Sequence, residues 1–176
     1  MPFLLTKQTK YIKKAIYMSK NKDKTNVMRI LDSLKIDYES HDYTNTTAIS
    51  GLEVAEALNQ NPDIVFKTLV TQASSKKYYV FLVPVSKDLN LKKAAKSVGE
   101  KSLEMIKLKE LLPLTGYVHG GCSPIGMKKP FHTVIDKSAE NFEKIIFSGG
   151  KIGYQVELSL SELSKAIKFD LAEISA

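Results

Sequence analysis

One cysteine, Cys122, is all that a chain of 176 residues contains. That excludes an internal disulfide and any metal site built from several thiolates, and it fits a reducing compartment. The three histidines, His41, His119 and His132, are far apart and irregularly spaced, so no Cys/His cluster has the spacing of metal ligands. Neither a metal nor an organic cofactor is expected. No apolar run approaches the roughly 18 residues that cross a bilayer, and the expectation is a soluble, cytoplasmic protein with no membrane partner. Internal repeats and low-complexity linkers are missing too, which argues for one domain. With 43% hydrophobic residues, the chain has enough apolar surface to bury one good core.

Net charge is missing from the body of the chain. The formal net charge is +7, but residues 1–35 hold nine Lys/Arg against two Asp, and the remaining 17 Lys are balanced by 17 Asp/Glu. A basic arm can hold RNA phosphates, or it can be a solvated tail. Between Met1 and Lys24 there are seven lysines, one aspartate and a short apolar patch, Pro2-Phe3-Leu4-Leu5. The patch is too short for a secretory signal, and a transit peptide is a poor fit with no arginine before Arg29. The favoured reading is that translation starts at Met18. Residues 1–24 are therefore expected to be a basic arm, disordered or a misassigned start, and residues 25–176 the folded domain.

From Asn26 the pattern is globular. Val27, Ile30, Leu31 and Leu34 recur at helical spacing, predicting a helix over 25–35 capped by Thr25 or Asn26. Residues 35–43 alternate loosely as a strand. Ser50 and Glu53 form a capping box for a helix over 50–58. The runs 64–72 and 78–85, rich in Val, Phe, Leu and Tyr, predict two strands joined by a hairpin turn. Short helices are expected over 91–98 and 103–112, strands over 133–136, 144–148 and 154–158, and a last helix capped by Ser161. Interleaved helices and strands indicate a mixed α/β domain, its sheet mostly antiparallel or a partial barrel, with helices around it.

Most of the chemistry is concentrated in Thr115-Gly116-Tyr117-Val118-His119-Gly120-Gly121-Cys122-Ser123-Pro124-Ile125-Gly126-Met127-Lys128-Lys129. Four glycines and a proline there impose a backbone path that other residues resist. Such a loop offers peptide N–H groups and positive charge to an anionic or carbonyl-bearing ligand; a plain turn between strands is the alternative. A second glycine corner follows at Ser148-Gly149-Gly150-Lys151-Ile152-Gly153.

These two segments, with Asp63-Ile64-Val65-Phe66-Lys67-Thr68-Leu69-Val70 and Ile135-Asp136, resemble the YbaK/EbsC proteins. That family is related to the editing insertion domain of bacterial prolyl-tRNA synthetase. The resemblance covers about residues 26–176. It implies the YbaK-like fold and a free-standing trans-editing deacylase that removes cysteine from mischarged tRNA(Pro) and from Cys-tRNA(Cys). The implied partners are these aminoacyl-tRNAs and prolyl-tRNA synthetase. In that branch the substrate's own thiol attacks its ester carbonyl and leaves as a cyclic thiolactone, so the enzyme supplies geometry and oxyanion stabilisation.

Carried onto this chain, the resemblance implies Lys67, Gly121 and Ser148 as catalytic residues. Gly120 and Gly121 would give N–H groups to the carbonyl oxygen. Tyr43, Gly120, Ser123, Pro124, Gly126, Gly149 and Gly150 would bind substrate, and Lys128, Lys129 and Lys151 would face RNA. The plainer readings are a snorkelling Lys67, a turn-capping Ser148 and a core Tyr43. Asp136 fits a family Ile-Asp element and equally a helix cap. Two positions depart from the family: Gln155 stands where some members have aspartate, and Ser50 where they have an aromatic residue. Cys122 is read as a packing group rather than a nucleophile. The remaining alternatives are a hydrolase for another small amino acid such as alanine, and a non-catalytic tRNA- or synthetase-binding regulator.

Overall fold

Thr25 opens the folded region as a cap: its hydroxyl accepts a hydrogen bond from Met28 N–H at 3.2 Å. The helix that follows, α1 (Asn26–Ser33), buries Val27, Met28 and Leu31, and it stops short of its predicted end because Lys35 takes a left-handed φ of 55°. The protein is described by a computed structural model over residues 23–176. The expectations for the arm before residue 23, with the start at Met18, lie outside the described residues.

Strand β1 (Glu39–Asp42) leads to α2 (Gly51–Ala57). Ser50 caps α2, accepting from Glu53 N–H at 3.2 Å. The Glu53 carboxylate answers by accepting from Ile49 N–H at 3.1 Å, one residue earlier than a strict capping box. Strands β2 (Phe66–Ala73) and β3 (Tyr78–Pro84) form the expected hairpin, with Phe66 opposite Pro84 and Gln72 opposite Tyr78. Helix α3 (Leu91–Ser97) follows, capped by Asn90.

The helix expected over 103–112 is divided. Leu103–Met105 forms β4, pairing with Thr71–Ala73, and α4 runs from Leu108 to Thr115. An edge of β2 in need of hydrogen-bond partners overrides the local pattern. Strands β5 (His132–Asp136), β6 (Ile145–Ser148) and β7 (Tyr154–Leu158) lie where predicted, and a 3₁₀ turn (Lys137–Asn141) capped by Asp136 joins the first two. The last helix, α5 (Leu160–Leu163), is capped by Ser159 rather than Ser161. A final strand that the pattern did not announce, β8 (Asp170–Ala172), pairs parallel with β5.

The strands build two sheets. One has the order β1-β7-β6, all antiparallel; the other has the order β4-β2-β3-β5-β8. In the larger sheet β3, β5 and β8 run parallel, and the other pairings are antiparallel. Among the described residues a single bridge, Val65 to Ile146, links the sheets, and their strands do not close into a barrel. The main core joins Phe66, Val70, Val80, Leu82 and Ile135 of the larger sheet to Ile145, Phe147, Val156 and Leu158 of the smaller one and to α1. A second cluster, with Phe81, Val83 and Val134, packs under Ala94 and Ala95 of α3. Alternation along each strand thus supplies two apolar faces from one sheet.

Candidate active site

Where β2 lacks a neighbour, a cavity opens. β6 is held against the start of that strand by Ile146 N–H donating to Ile64 O at 2.9 Å, and Ile106 N–H, just past the end of β4, reaches Val70 O at 3.3 Å. Between these contacts the edge of residues 66–69 is unpaired. All four of them, Phe66, Lys67, Thr68 and Leu69, line a cavity of about 340 Å³. Antiparallel pairing alternates, so with Val65 O bonded to Val85 N–H on the β3 side, the peptide groups of Thr68 are directed to the open edge. The Thr68 hydroxyl is itself buried with no hydrogen-bond partner among the described residues.

The other walls come from distant segments. Tyr43 and the entry to α2 (Ile49, Ser50, Leu52) form one side; Leu111, His119, Gly120 and Cys122 form another; Phe147, Ser148 and Gln155 close the end. Among the described residues Lys67 is the one Lys or Arg that lines the cavity, and no Asp or Glu does. Its ammonium lies 3.4 Å from Asp88, whose side chain is 93% exposed. Ser148 Oγ accepts from Gly150 N–H at 3.2 Å, which is the turn-capping reading, while its own proton stays available to a ligand. The Tyr43 ring is buried at 5% exposure.

The glycine segments divide between cavity and scaffold. Gly120, at φ 86°, lines the cavity, and neither its N–H nor that of Cys122 finds an acceptor among the described residues. Gly121 is placed otherwise: its N–H donates to Val118 O at 3.0 Å, whereas the N–H groups of His119, Gly120 and Cys122, the loop residues that line the cavity, have no acceptor among the described residues. A Cβ on Gly121 would lie 3.1 Å from Ile152 N, because the two glycine corners stack backbone against backbone. Gly149 abuts Tyr154, Gly150 abuts Val27, and Gly126 abuts Ile30 and Tyr117. Gly126 and Gly150 make room for side chains and Gly149 for the main chain and Cβ of Tyr154, and none of the three lines the cavity. Ser123 is fully buried, its hydroxyl accepting from Ile125 N–H at 3.4 Å, and with Pro124 it holds the loop from behind. Lys128, Lys129 and Lys151 are exposed outside the cavity; Lys128 Nζ donates to Pro113 O at 3.4 Å.

Burial pushes the Cys122 thiol up to about 12, only partly offset by a hydrogen bond with Thr115. It is a wall group and not a thiolate. Burial likewise raises Tyr117 to about 12; its hydroxyl donates to Ile125 O and pins the glycine loop. Thr68 is not singled out by the sequence: it follows Lys67 in the Lys-Thr-Leu element, but its orphaned hydroxyl is a product of tertiary packing. The two departures from the family, Ser50 and Gln155, touch the pocket as expected and both line it; Gln155 is buried and paired with Gln60.

Elsewhere, Glu39, His41 and Glu157 bring their donor atoms within 4.8 Å of one another on one face of the small sheet. Glu157 is hydrogen-bonded to His41 at 2.6 Å, and Lys144 is 3.2 Å from Glu39, so each carboxylate of the cluster already has a partner. Among the described residues no helix is long and apolar enough to cross a membrane.

The chain is similar to known proteins over the region that builds this cavity. The model of the aminoacyl-tRNA editing domain matches residues 47–166. An Enterococcus faecalis protein named as a Cys-tRNA(Pro)/Cys-tRNA(Cys) deacylase, EbsC, is 40% identical over 157 residues, 89% of this chain and 96% of that protein. Among solved structures, hypothetical protein APE2540 superposes with a TM-score of 0.78 at 22% identity, over 86% of this chain and 100% of that one. A protein named as a trans-editing enzyme for prolyl tRNA synthetase superposes with a TM-score of 0.75 at 22% identity, over 86% and 98%; at that identity these two show the fold. The walls of the cavity from Ile49 to Gln155 fall within the matched segment, and the chain belongs to the aminoacyl-tRNA editing domain family.

Proposed function

We propose that this protein is a free-standing cytoplasmic deacylase that removes cysteine from mischarged tRNA(Pro) and from Cys-tRNA(Cys), using the thiol of the substrate as nucleophile. One observation carries the reading: the cavity offers a cation and unpaired N–H groups but no activated nucleophile. Cys122 stays protonated, and among the described residues no carboxylate lines the cavity to orient His119 as a base. A nucleophile brought by the substrate resolves that deficit.

In this reading the cysteinyl ester lies along the open edge of β2. The substrate sulfur attacks the ester carbonyl carbon, the carbon–oxygen bond to the terminal ribose breaks, and the ribose oxygen takes the electron pair and a proton. The products are a thiolactone and free tRNA. Lys67 stabilises the charge that passes from sulfur to oxygen, and the N–H groups of Gly120 and Cys122 receive the carbonyl oxygen, a role that Gly121 does not fill. Ser148, Tyr43 and Thr68 offer hydroxyls that fix the folded conformer. Lys128, Lys129 and Lys151 meet phosphates of the acceptor end. The neutral body makes tRNA affinity modest, and prolyl-tRNA synthetase supplies further RNA surface.

The test is ester loss from tRNA(Pro) charged with cysteine, alanine or proline. Loss confined to the cysteinyl substrate supports the reading. Equal loss of the alanyl ester would replace it with a hydrolase whose pocket size sets the choice.

A further inference from the structure

Gln155 is only 4% exposed, yet it lines the cavity. Its amide is held by a second one. Gln60 Nε2 donates to Gln155 Oε1 at 2.8 Å, and Gln155 Nε2 donates to Gln60 Oε1 at 3.2 Å. A reciprocal pair uses one donor and one acceptor of each amide, so each keeps an N–H and a lone pair. Burial at such a site without charge is sustained by the pairing.

Every aminoacyl ester carries an α-amine beside its carbonyl. In the ammonium form it would enter a cavity that has one ammonium, Lys67, and no carboxylate among its lining residues. Like charge and lost hydration both disfavour that form. As a neutral amine it needs only an acceptor. We propose that the cavity binds the α-amine of its substrate uncharged, as a hydrogen-bond donor to the Gln155 amide that Gln60 holds in place. The inference rests on the deacylase reading above.

Several groups around Gln155 titrate or carry charge. On β1, His41 is its direct strand partner and is hydrogen-bonded to Glu157 at 2.6 Å; Glu39 and Lys144 form the next pair, at 3.2 Å. On α2, which leads to Gln60, Glu53 and Glu56 are exposed. Across the cavity stand Lys67, His119, Cys122 and Tyr43.

The test is the pH profile of kcat/KM for the full-length protein between about pH 5.5 and 9. Cysteinyl-tRNA(Pro) is compared with 3-mercaptopropionyl-tRNA(Pro), which keeps the thiol and lacks the amine. Below the ordinary α-amino range of about 7.7–8.0, the cysteinyl profile is expected to rise with a slope near two, one proton each from amine and thiol. The amine-free analogue is expected to rise with a slope near one. Gln155→Glu gives the ammonium a counter-charge, so its cysteinyl profile falls to a slope near one and its kcat/KM at pH 6, relative to pH 8, increases about 40-fold. His41→Gln is expected to keep the wild-type profile. Equal slopes for the two substrates in the wild type would overturn the inference, and so would a Gln155→Glu profile parallel to it. No turnover of either thiol substrate would sink the deacylase reading itself and this inference with it.

Discussion

The Lys67 ammonium lies 3.4 Å from the Asp88 carboxylate, and the two groups differ sharply in surroundings: Lys67 is one-third exposed at the cavity wall, Asp88 almost wholly in water. So loose and solvated a pair holds the lysine weakly, and the ammonium is free to turn toward a ligand. Lys67→Ala is expected to lower turnover of cysteinyl-tRNA(Pro) by about 10²-fold or more, on the scale of losing one oxyanion-stabilising group. Asp88→Ala is expected to leave it within about threefold. Steady-state deacylation assays on both variants decide it; a Lys67→Ala enzyme with wild-type turnover would leave the lysine as a surface group.

Gly150 and Gly99 both have positive φ, 89° and 70°, but only one has a neighbour in the way. A Cβ on Gly150 would lie 2.6 Å from Val27 Cγ2, whereas one on Gly99 meets nothing within 4 Å. Gly99→Ala is expected to cost about 1–2 kcal/mol for its left-handed backbone. Gly150→Ala carries the same strain and adds overpacking of about 1–3 kcal/mol. Urea unfolding of the two variants should separate them; equal losses would refute the packing of the second glycine corner against α1.

A thiol held at about 12 by burial is ionised to roughly one part in 10⁴ at pH 8. Iodoacetamide is therefore expected to label Cys122 at least about 10²-fold more slowly in the native protein than in urea. Comparable rates in both would return Cys122 to the list of nucleophiles.

Asp136 is buried, which alone would raise its carboxyl, but hydrogen bonds from Ser138, Ile174 and Ser175 outweigh burial and hold it below the usual value of 3.8. A folded-state value below the unfolded one contributes stability above the unfolded value, and that contribution disappears as pH falls through the folded one. Asp136→Asn is expected to cost about 1–3 kcal/mol at pH 7, since its amide leaves backbone donors unsatisfied, and the gap to wild type should narrow toward pH 2. Urea titrations at both pH values measure it; a gap that widens in acid would contradict the assignment.

Local chemistry was legible in the sequence where the cause is local. Thr25 and Ser50 reveal themselves as caps because a cap needs only a hydroxyl and the next turn. The β2–β3 hairpin is visible in its alternation. Leu103–Met105 is not, since its strand character comes from the edge of β2 some thirty residues away in sequence. Glycine marks a place where space is needed, but not what fills it. Gly120 opens toward a ligand cavity, while Gly126, Gly149 and Gly150 admit Ile30, Tyr154 and Val27. Thr68 and Gln155 become site residues through partners, one absent and one present, that only the assembled sheets disclose.

The central claim is that the substrate supplies the nucleophile, and the first product formed tests it most directly. Cysteinyl-tRNA(Pro) is turned over in ¹⁸O-labelled water and quenched within the first turnovers, and the released acyl group is analysed by mass spectrometry. The account predicts a thiolactone without label, and no release from the seryl ester, in which oxygen replaces the sulfur. Free cysteine carrying one ¹⁸O from the earliest time point, with the seryl ester hydrolysed at a similar rate, would contradict it and make water the nucleophile.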